Sequence, residues 1–110
     1  MPRYPFAFAA ATLAALGLVL PALADDVVLT LKDHKFDPAK LELAAGAEHN
    51  ILIKNLDGTP EEFESESLDI EKVIAGGQEA SFTVGPLDPG SYEFYGEFHE
   101  DTAQGQIVVK

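Results

Sequence analysis

Apolar and polar residues alternate along most of the chain after residue 25, with the period of two that is typical of β-strands. Residues 27–32 show the pattern first, because Val27, Leu29 and Leu31 would all lie on one side of an extended strand. Similar patterns or short apolar runs follow at residues 41–43, 49–55, 72–74, 79–84, 92–98 and 106–109. The intervening segments are rich in Gly, Pro, Asn and Asp, which favour turns.

This pattern predicts an all-β fold, a single β-sandwich or barrel of about seven or eight short and mainly antiparallel strands over residues 27–110. No stretch of ten residues after Ala24 shows helical periodicity. The residues expected in the core are Leu29, Leu31, Phe36, Leu43, Ile51, Ile53, Phe82, Val84, Tyr92, Phe94, Ile107 and Val109.

Residues 1–24 have a different character. Arg3 precedes an apolar run of about 15 residues, shorter than the roughly 20 that a membrane-spanning helix needs. Ala22 and Ala24 then supply the small residues of a cleavage site, and no cysteine follows that could carry a lipid anchor. We therefore expect a signal peptide at residues 1–24, cleaved after Ala24 on the general export pathway, and a domain at residues 25–110.

The charge of the chain is strongly negative, with 19 acidic against 7 basic residues and a formal net charge of −12. Such a polyanion is repelled by nucleic acids and by anionic membrane surfaces, whereas it attracts cations. Solubility would account for the charge equally well. Cysteine is absent, which excludes disulfides, thiolate metal ligands and cysteine nucleophiles. Because no nucleophile elbow or phosphate-binding glycine motif is found either, a non-enzymatic role is favoured.

Four segments, taken in order, resemble the cupredoxin-like domain family, whose members are small Greek-key β-sandwiches that hold copper at one end. These are residues 36–46, 53–55, 85–92 and 105–109. Residues 59–65, 71–74 and 98–105 are most similar to a subgroup of short periplasmic proteins that accompany bacterial iron-uptake systems. The resemblance implies a periplasmic protein that binds copper or iron, with an iron permease or another uptake component as its partner.

The same resemblance implies which residues stand at the ligand positions of a blue-copper site. Glu61 takes the place of the first histidine, Gly96 that of the cysteine, His99 that of the second histidine and Gln104 that of the axial ligand. Only His99 is a strong copper ligand, and no other side chain replaces the thiolate. We therefore expect no blue-copper site.

A harder metal ion could still bind, because the resemblance implies that the loops around residues 59–65 and 98–105 meet at one end of the sandwich. We expect His99 to be the imidazole ligand of copper or iron. The carboxylates expected beside it are Glu61, Glu62, Glu97 and Asp101.

The sequence does not decide which face of the strand carries the metal-binding carboxylates. If Phe63 is in the core, Glu61 shares its inward side, while Glu62 and Glu64 point outward. His34 lies in a charged turn and His49 begins a strand, so both are expected to face solvent or to be structural.

Two other functions remain open. The protein could be a copper-dependent ferroxidase or redox partner, or a metal-free module whose acidic surface binds a basic partner.

Overall fold

A computed structural model describes residues 26–110, which form nine β-strands and one short 3₁₀ turn, Glu97–His99. The strands are β1 Asp26–Lys32, β2 Lys35–Asp37, β3 Lys40–Leu43, β4 His49–Asn55, β5 Glu61–Ser65, β6 Ile70–Ile74, β7 Glu79–Val84, β8 Gly90–Gly96 and β9 Gln104–Val109. Over this range, no helix is long and apolar enough to cross a membrane. The predicted cleavage site after Ala24 lies outside the described residues.

The predicted all-β class is confirmed, and the strands form two sheets packed as a sandwich. The first sheet has the order β2-β1-β4-β7 and the second the order β3-β9-β8-β5-β6. The β1–β4 and β3–β9 pairs are parallel, and the other pairs are antiparallel. The strand count exceeds the expected seven or eight because the short strand β2 forms between the segments at residues 27–32 and 41–43 that were predicted as strands.

The core between the sheets contains most of the apolar residues that the alternation predicted. Phe82 and Tyr92 are the exceptions, since both are only partly buried and pack at the margin of the core. Phe82 lies on β7, an edge strand of the first sheet, and the Tyr92 hydroxyl donates a hydrogen bond to the carbonyl of Asp88. Among the described residues, three buried apolar side chains were not predicted, namely Leu41, Ile74 and Ala103, while the core position considered for Phe63 is confirmed.

An aromatic cluster fixes β5 against the rest of the core. The ring of Phe63 lies 4.9 Å from that of Phe94, 5.1 Å from that of Phe82 and 5.9 Å from that of Phe36, measured between centroids. Such pairs add to the stabilisation from buried area. The pairing of β5 with β8 places Phe63 opposite Gly96, so the start of β5 lies beside the 3₁₀ turn.

Candidate metal centre

Glu61 is a buried carboxylate at the first position of β5. The side chains of β5 alternate, so Glu61, Phe63 and Ser65 are buried while Glu62 and Glu64 are half-buried. Glu61 is only 1% exposed. The hypothesis that Glu61 shares the inward side of Phe63 is therefore confirmed.

The Glu61 carboxylate has hydrogen-bond donors at both oxygens. Its Oε2 lies 2.5 Å from Nδ1 of His99, and its Oε1 accepts a bond of 2.8 Å from the backbone N–H of Phe98. When the Glu61 carboxylate is ionised it can only accept, and the Nδ1 of His99 then donates in this pair. These donors offset the cost of removing the carboxylate from water, and they tie β5 to the 3₁₀ turn.

His34 lies on top of His99, although the sequence favoured a solvent-facing role for it. The two imidazoles are stacked with their centroids 3.6 Å apart and their planes 11° from parallel. Their side chains are 40% and 29% exposed, respectively. His34 is thus partly exposed, as expected, but it also contacts the residue that was predicted as the imidazole ligand.

A carboxylate from the next loop holds the turn that carries His34. Asp33 and His34 both have positive φ angles, 53° and 58°, a conformation that costs energy for residues with side chains. Asp57 stabilises it, because its oxygens accept the backbone N–H groups of Asp33 at 2.7 Å and His34 at 3.0 Å. Burial works to raise the pKa of Asp57, but these two N–H groups, together with the electrostatic influence of His34 and His99, outweigh it and hold the pKa below its ordinary value.

Asn55 organises the loop that presents Asp57. Its buried side-chain amide donates to the carbonyls of Thr59 at 2.8 Å and Ile74 at 3.1 Å. Its Oδ1 accepts the backbone N–H of Asp57 at 3.0 Å. The turn-forming segment after β4 thus has one conformation because a single buried side chain satisfies several of its backbone groups.

A second group of carboxylates lies on the outward face of the same sheet. Ligand atoms of Glu62, Glu64 and Glu97 lie within 4.8 Å of one another. A hydrogen bond to Glu97, with partial desolvation and nearby negative charges, raises the pKa of Glu64 to about 7. Of the predicted ligands, Glu62 and Glu97 belong to this outer group rather than to the group around His99.

The remaining predicted ligand, Asp101, lies at the rim of a surface depression. His34 and His99 border an open depression of about 500 Å³ with Glu97, Phe98, Glu100 and Asp101. Asp101 is exposed there and belongs to neither group of ligand atoms. Its role as a ligand stays a prediction.

Gln104 does not stand where the resemblance implied an axial ligand. It is exposed, and its amide donates to the carbonyl of Glu100 at 2.8 Å. Its neighbour Ala103 is the buried residue that faces Gly96. A signal for this was available in the sequence, because Ala103 is the apolar residue of a polar loop.

Ligand atoms of His34, Glu61 and His99 lie within 4.8 Å of one another. Two imidazoles and one carboxylate suit borderline ions such as Cu(II) and Fe(II). They do not suit a blue-copper ion, which needs a thiolate, and the sequence contains no cysteine. The donor set therefore fits a copper or iron ion of a different type from that of blue-copper proteins.

Comparison with known proteins agrees with this fold. Residues 5–109 match the model of the cupredoxin-like domain family, and the chain belongs to that family. It is 44% identical over 84 residues to an uncharacterised protein of Rickettsia prowazekii (strain Madrid E), covering 76% of this chain and 67% of that protein.

Solved structures with the same fold include several copper proteins. Auracyanin A, a "blue" copper protein from Chloroflexus aurantiacus, has a TM-score of 0.68 at 15% identity, covering 80% of this chain and all of that one. The metal-binding domain of a Cu(I)-exporting P-type ATPase of Streptococcus pneumoniae, solved with Cu(I), has a TM-score of 0.69 at 18% identity. The match covers 83% of this chain and 90% of that one. An oxidised variant of amicyanin has a TM-score of 0.64 at 18% identity, and the match covers 80% of this chain and 86% of that one. At these identities, the likeness shows the fold alone.

Proposed function

We propose that this protein binds one copper or iron ion between His99, Glu61 and His34. The observation that carries the proposal is the contact of 2.5 Å between the His99 Nδ1 and the buried carboxylate of Glu61, with a second imidazole stacked on the first. Glutamates are rarely fully buried unless they are paired. Here the buried carboxylate lies beside two imidazoles that border an open depression.

A metal ion would take the place of the proton between Nδ1 of His99 and Oε2 of Glu61. Two ligand atoms at about 2 Å from one ion, at a right angle, lie about 2.9 Å apart. The observed separation of 2.5 Å would then widen by only a few tenths of an ångström. Imidazole binds a metal ion through an unprotonated nitrogen, so the hydrogen on Nδ1 must move to Nε2 or leave the ring. Metal binding should therefore weaken at low pH, where both ring nitrogens are protonated.

His34 can join the same ion only if one ring leaves the stack. The lone pair of an imidazole nitrogen lies in the plane of the ring, so two stacked rings direct their lone pairs along nearly parallel lines. His34 is the more exposed ring, so we expect it to be the ring that turns, leaving the contact of 3.4 Å between its Nδ1 and Oδ2 of Asp57. We assign His99 and Glu61 to the inner part of the site and His34 to its solvent side.

The biological role that we propose is accessory to iron uptake, in the periplasm, with an iron permease or another uptake component as partner. The support is the sequence resemblance of residues 59–65, 71–74 and 98–105 to proteins of such systems. The net charge of −12 would also concentrate cations near the site. Deletion of the gene should lower uptake of radioactive iron, and the wild-type gene but not a His99→Ala copy should restore it.

Calorimetric titration of the purified domain with Cu(II), and with Fe(II) under anaerobic conditions, tests the binding proposal. We expect one ion per chain, no intense blue colour with Cu(II), and a loss of about tenfold or more in affinity in His99→Ala. His49→Ala is the matched control, because the His49 ring bonds the carbonyl of Ala44 on another part of the fold. Unchanged affinity in His99→Ala, or no binding by the wild type, would favour the metal-free interaction module.

The ferroxidase alternative requires the bound copper to cycle between oxidation states. Oxygen consumption with Fe(II), measured on the copper-loaded protein, distinguishes it from simple binding. A rate that exceeds that of free Cu(II) at equal concentration, and that is lost in His99→Ala, would establish this alternative.

A further inference from the structure

We infer that Gly96 is a positioning residue that determines the ligand set of the centre. Because it lacks a side chain, it leaves the space in which the Glu61 carboxylate reaches His99. The consequence for metal specificity rests on the function proposed above, whereas the consequence for the Glu61–His99 contact does not.

The backbone at this position does not require glycine. Gly96 has φ −92° and ψ 114°, an extended conformation open to any residue. Gly85, with φ 100° and the Ala47 carbonyl 2.5 Å from the place of a Cβ, is a contrasting case. A reason for glycine at position 96 must therefore come from its surroundings.

Those surroundings are filled by two side chains. A Cβ at Gly96 would lie 2.7 Å from Cδ and 2.8 Å from Oε1 of Glu61, and 2.7 Å from Cβ of Ala103. Carbon atoms that are not bonded to each other pack at about 3.5–4.0 Å. Any side chain at position 96 would thus displace the carboxylate, Ala103 or both.

The backbone of Gly96 cannot retreat from this contact. It pairs with Phe63 across β5 and β8, and its N–H donates to the carbonyl of Ala103 at 2.8 Å. Ala103 is completely buried, so it has little room to move. The Glu61 side chain is the flexible partner, and displacing it would break its bonds to His99 and to the Phe98 N–H.

It follows that a side chain at position 96 and an inward carboxylate at position 61 exclude each other. A ligand supplied from position 96 would occupy the volume that the carboxylate fills. With glycine there, the centre has an oxygen ligand from β5 instead. Gly96 therefore favours harder ions such as Cu(II) or iron over soft ions such as Cu(I).

The test uses Gly96→Ala, with two readouts. Without metal, the ¹⁵N shifts of the His99 ring should change from a form protonated at Nδ1 to the mixture typical of an exposed imidazole. With metal, affinity for Cu(II) should fall about tenfold or more. Gly105→Ala is the matched control: a Cβ there would meet the Phe94 ring at 2.3 Å but not Glu61. It should lose stability yet keep both signals.

A double variant covers the case in which Gly96→Ala does not fold. In Gly96→Ala/Ala103→Gly, the contact with Ala103 is removed and only the conflict with Glu61 remains, so both readouts should still be lost. A folded variant with the wild-type His99 shifts would overturn the inference. If the wild type binds no metal, the proposed function fails, while the ring shifts still decide the role of Gly96.

Discussion

The two faces of β5 carry the same residue type in opposite electrostatic situations. On the inner face, Glu61 meets hydrogen-bond donors from His99 and from the Phe98 backbone. On the outer face, Glu64 meets Glu97, and its pKa rises to about 7. A carboxylate buried among donors is thus better accommodated than one that lies half-exposed among other carboxylates. The identity of the neighbours, rather than burial alone, decides the difference.

The rest of the outer face strengthens the contrast. Glu64 stands directly opposite Glu71 on β6 and opposite Tyr95 on β8. Like charges in such cross-strand pairs destabilise a sheet. Partial burial, the charge of Glu64 and a hydrogen bond to Glu66 raise the pKa of Tyr95 to about 12, so its hydroxyl stays neutral and can donate.

The largest effect is expected from the neighbouring strand, where Phe94 faces inward and Tyr95 outward. Phe94→Ala should lower the free energy of unfolding by about 3–5 kcal/mol, since it removes a ring from the centre of the aromatic cluster. Tyr95→Ala should cost clearly less, because the Tyr95 hydroxyl bonds Glu66 on the exposed face of the sheet. Urea denaturation of both variants provides the measurement. A cost below about 1 kcal/mol for Phe94→Ala would contradict the assigned inner face.

The next largest loss of stability is expected for Glu61→Gln. The amide keeps the shape of the side chain, and its oxygen can still accept the Phe98 N–H, but its NH₂ group can only donate. The charge-assisted bond to His99 is therefore lost, and His99 must present an unprotonated Nδ1 to keep any bond at all. We expect a loss of about 1–3 kcal/mol in unfolding free energy, together with the loss of metal binding. Glu62→Gln, one residue further along β5, is the control and should change stability little. Equal effects of the two substitutions would remove the distinction between the faces.

Glu64→Gln should change the free energy of unfolding in the opposite direction and stabilise the protein above the pKa of Glu64. A raised pKa means that the folded protein holds a proton that the unfolded chain releases at about 4.5. This group therefore makes the wild type progressively less stable as the pH rises from about 4.5 to about 7. In metal-free buffer, Glu64→Gln should be more stable than the wild type at pH 8 and nearly equal at pH 4. A variant less stable than the wild type at pH 8 would argue against the repulsion.

The smallest effect is expected at Asp57, which acts on the centre through His34. Asp57→Asn keeps one acceptor but turns an NH₂ group toward the other backbone N–H. We expect a loss of about 1 kcal/mol in stability and a several-fold loss of metal affinity, with the His99 ring shifts preserved. Changed His99 ring shifts would instead show that Asp57 acts directly on the contact between Glu61 and His99.

The sequence by itself determined much of the fold and part of the centre. Alternation with a period of two identified most of the strands and core residues, because one sheet face must be apolar wherever it is buried. It also linked the two residues of β5, since Glu61 would lie inward if Phe63 did. The absence of cysteine excluded a thiolate ligand whatever the fold.

Only the tertiary structure decided which side chains meet. His34 and His99 are far apart in sequence and become neighbours through the order of strands and the turn that Asp57 stabilises. The space at Gly96 likewise exists only because β8 runs beside β5. The position of Glu97 beside Glu62 and Glu64 follows from the same pairing, whereas the separation of Glu62 from Glu61 follows from the alternation along β5. Periodicity is a local property that assigns each residue to a face, whereas contacts between distant segments depend on sheet order and register.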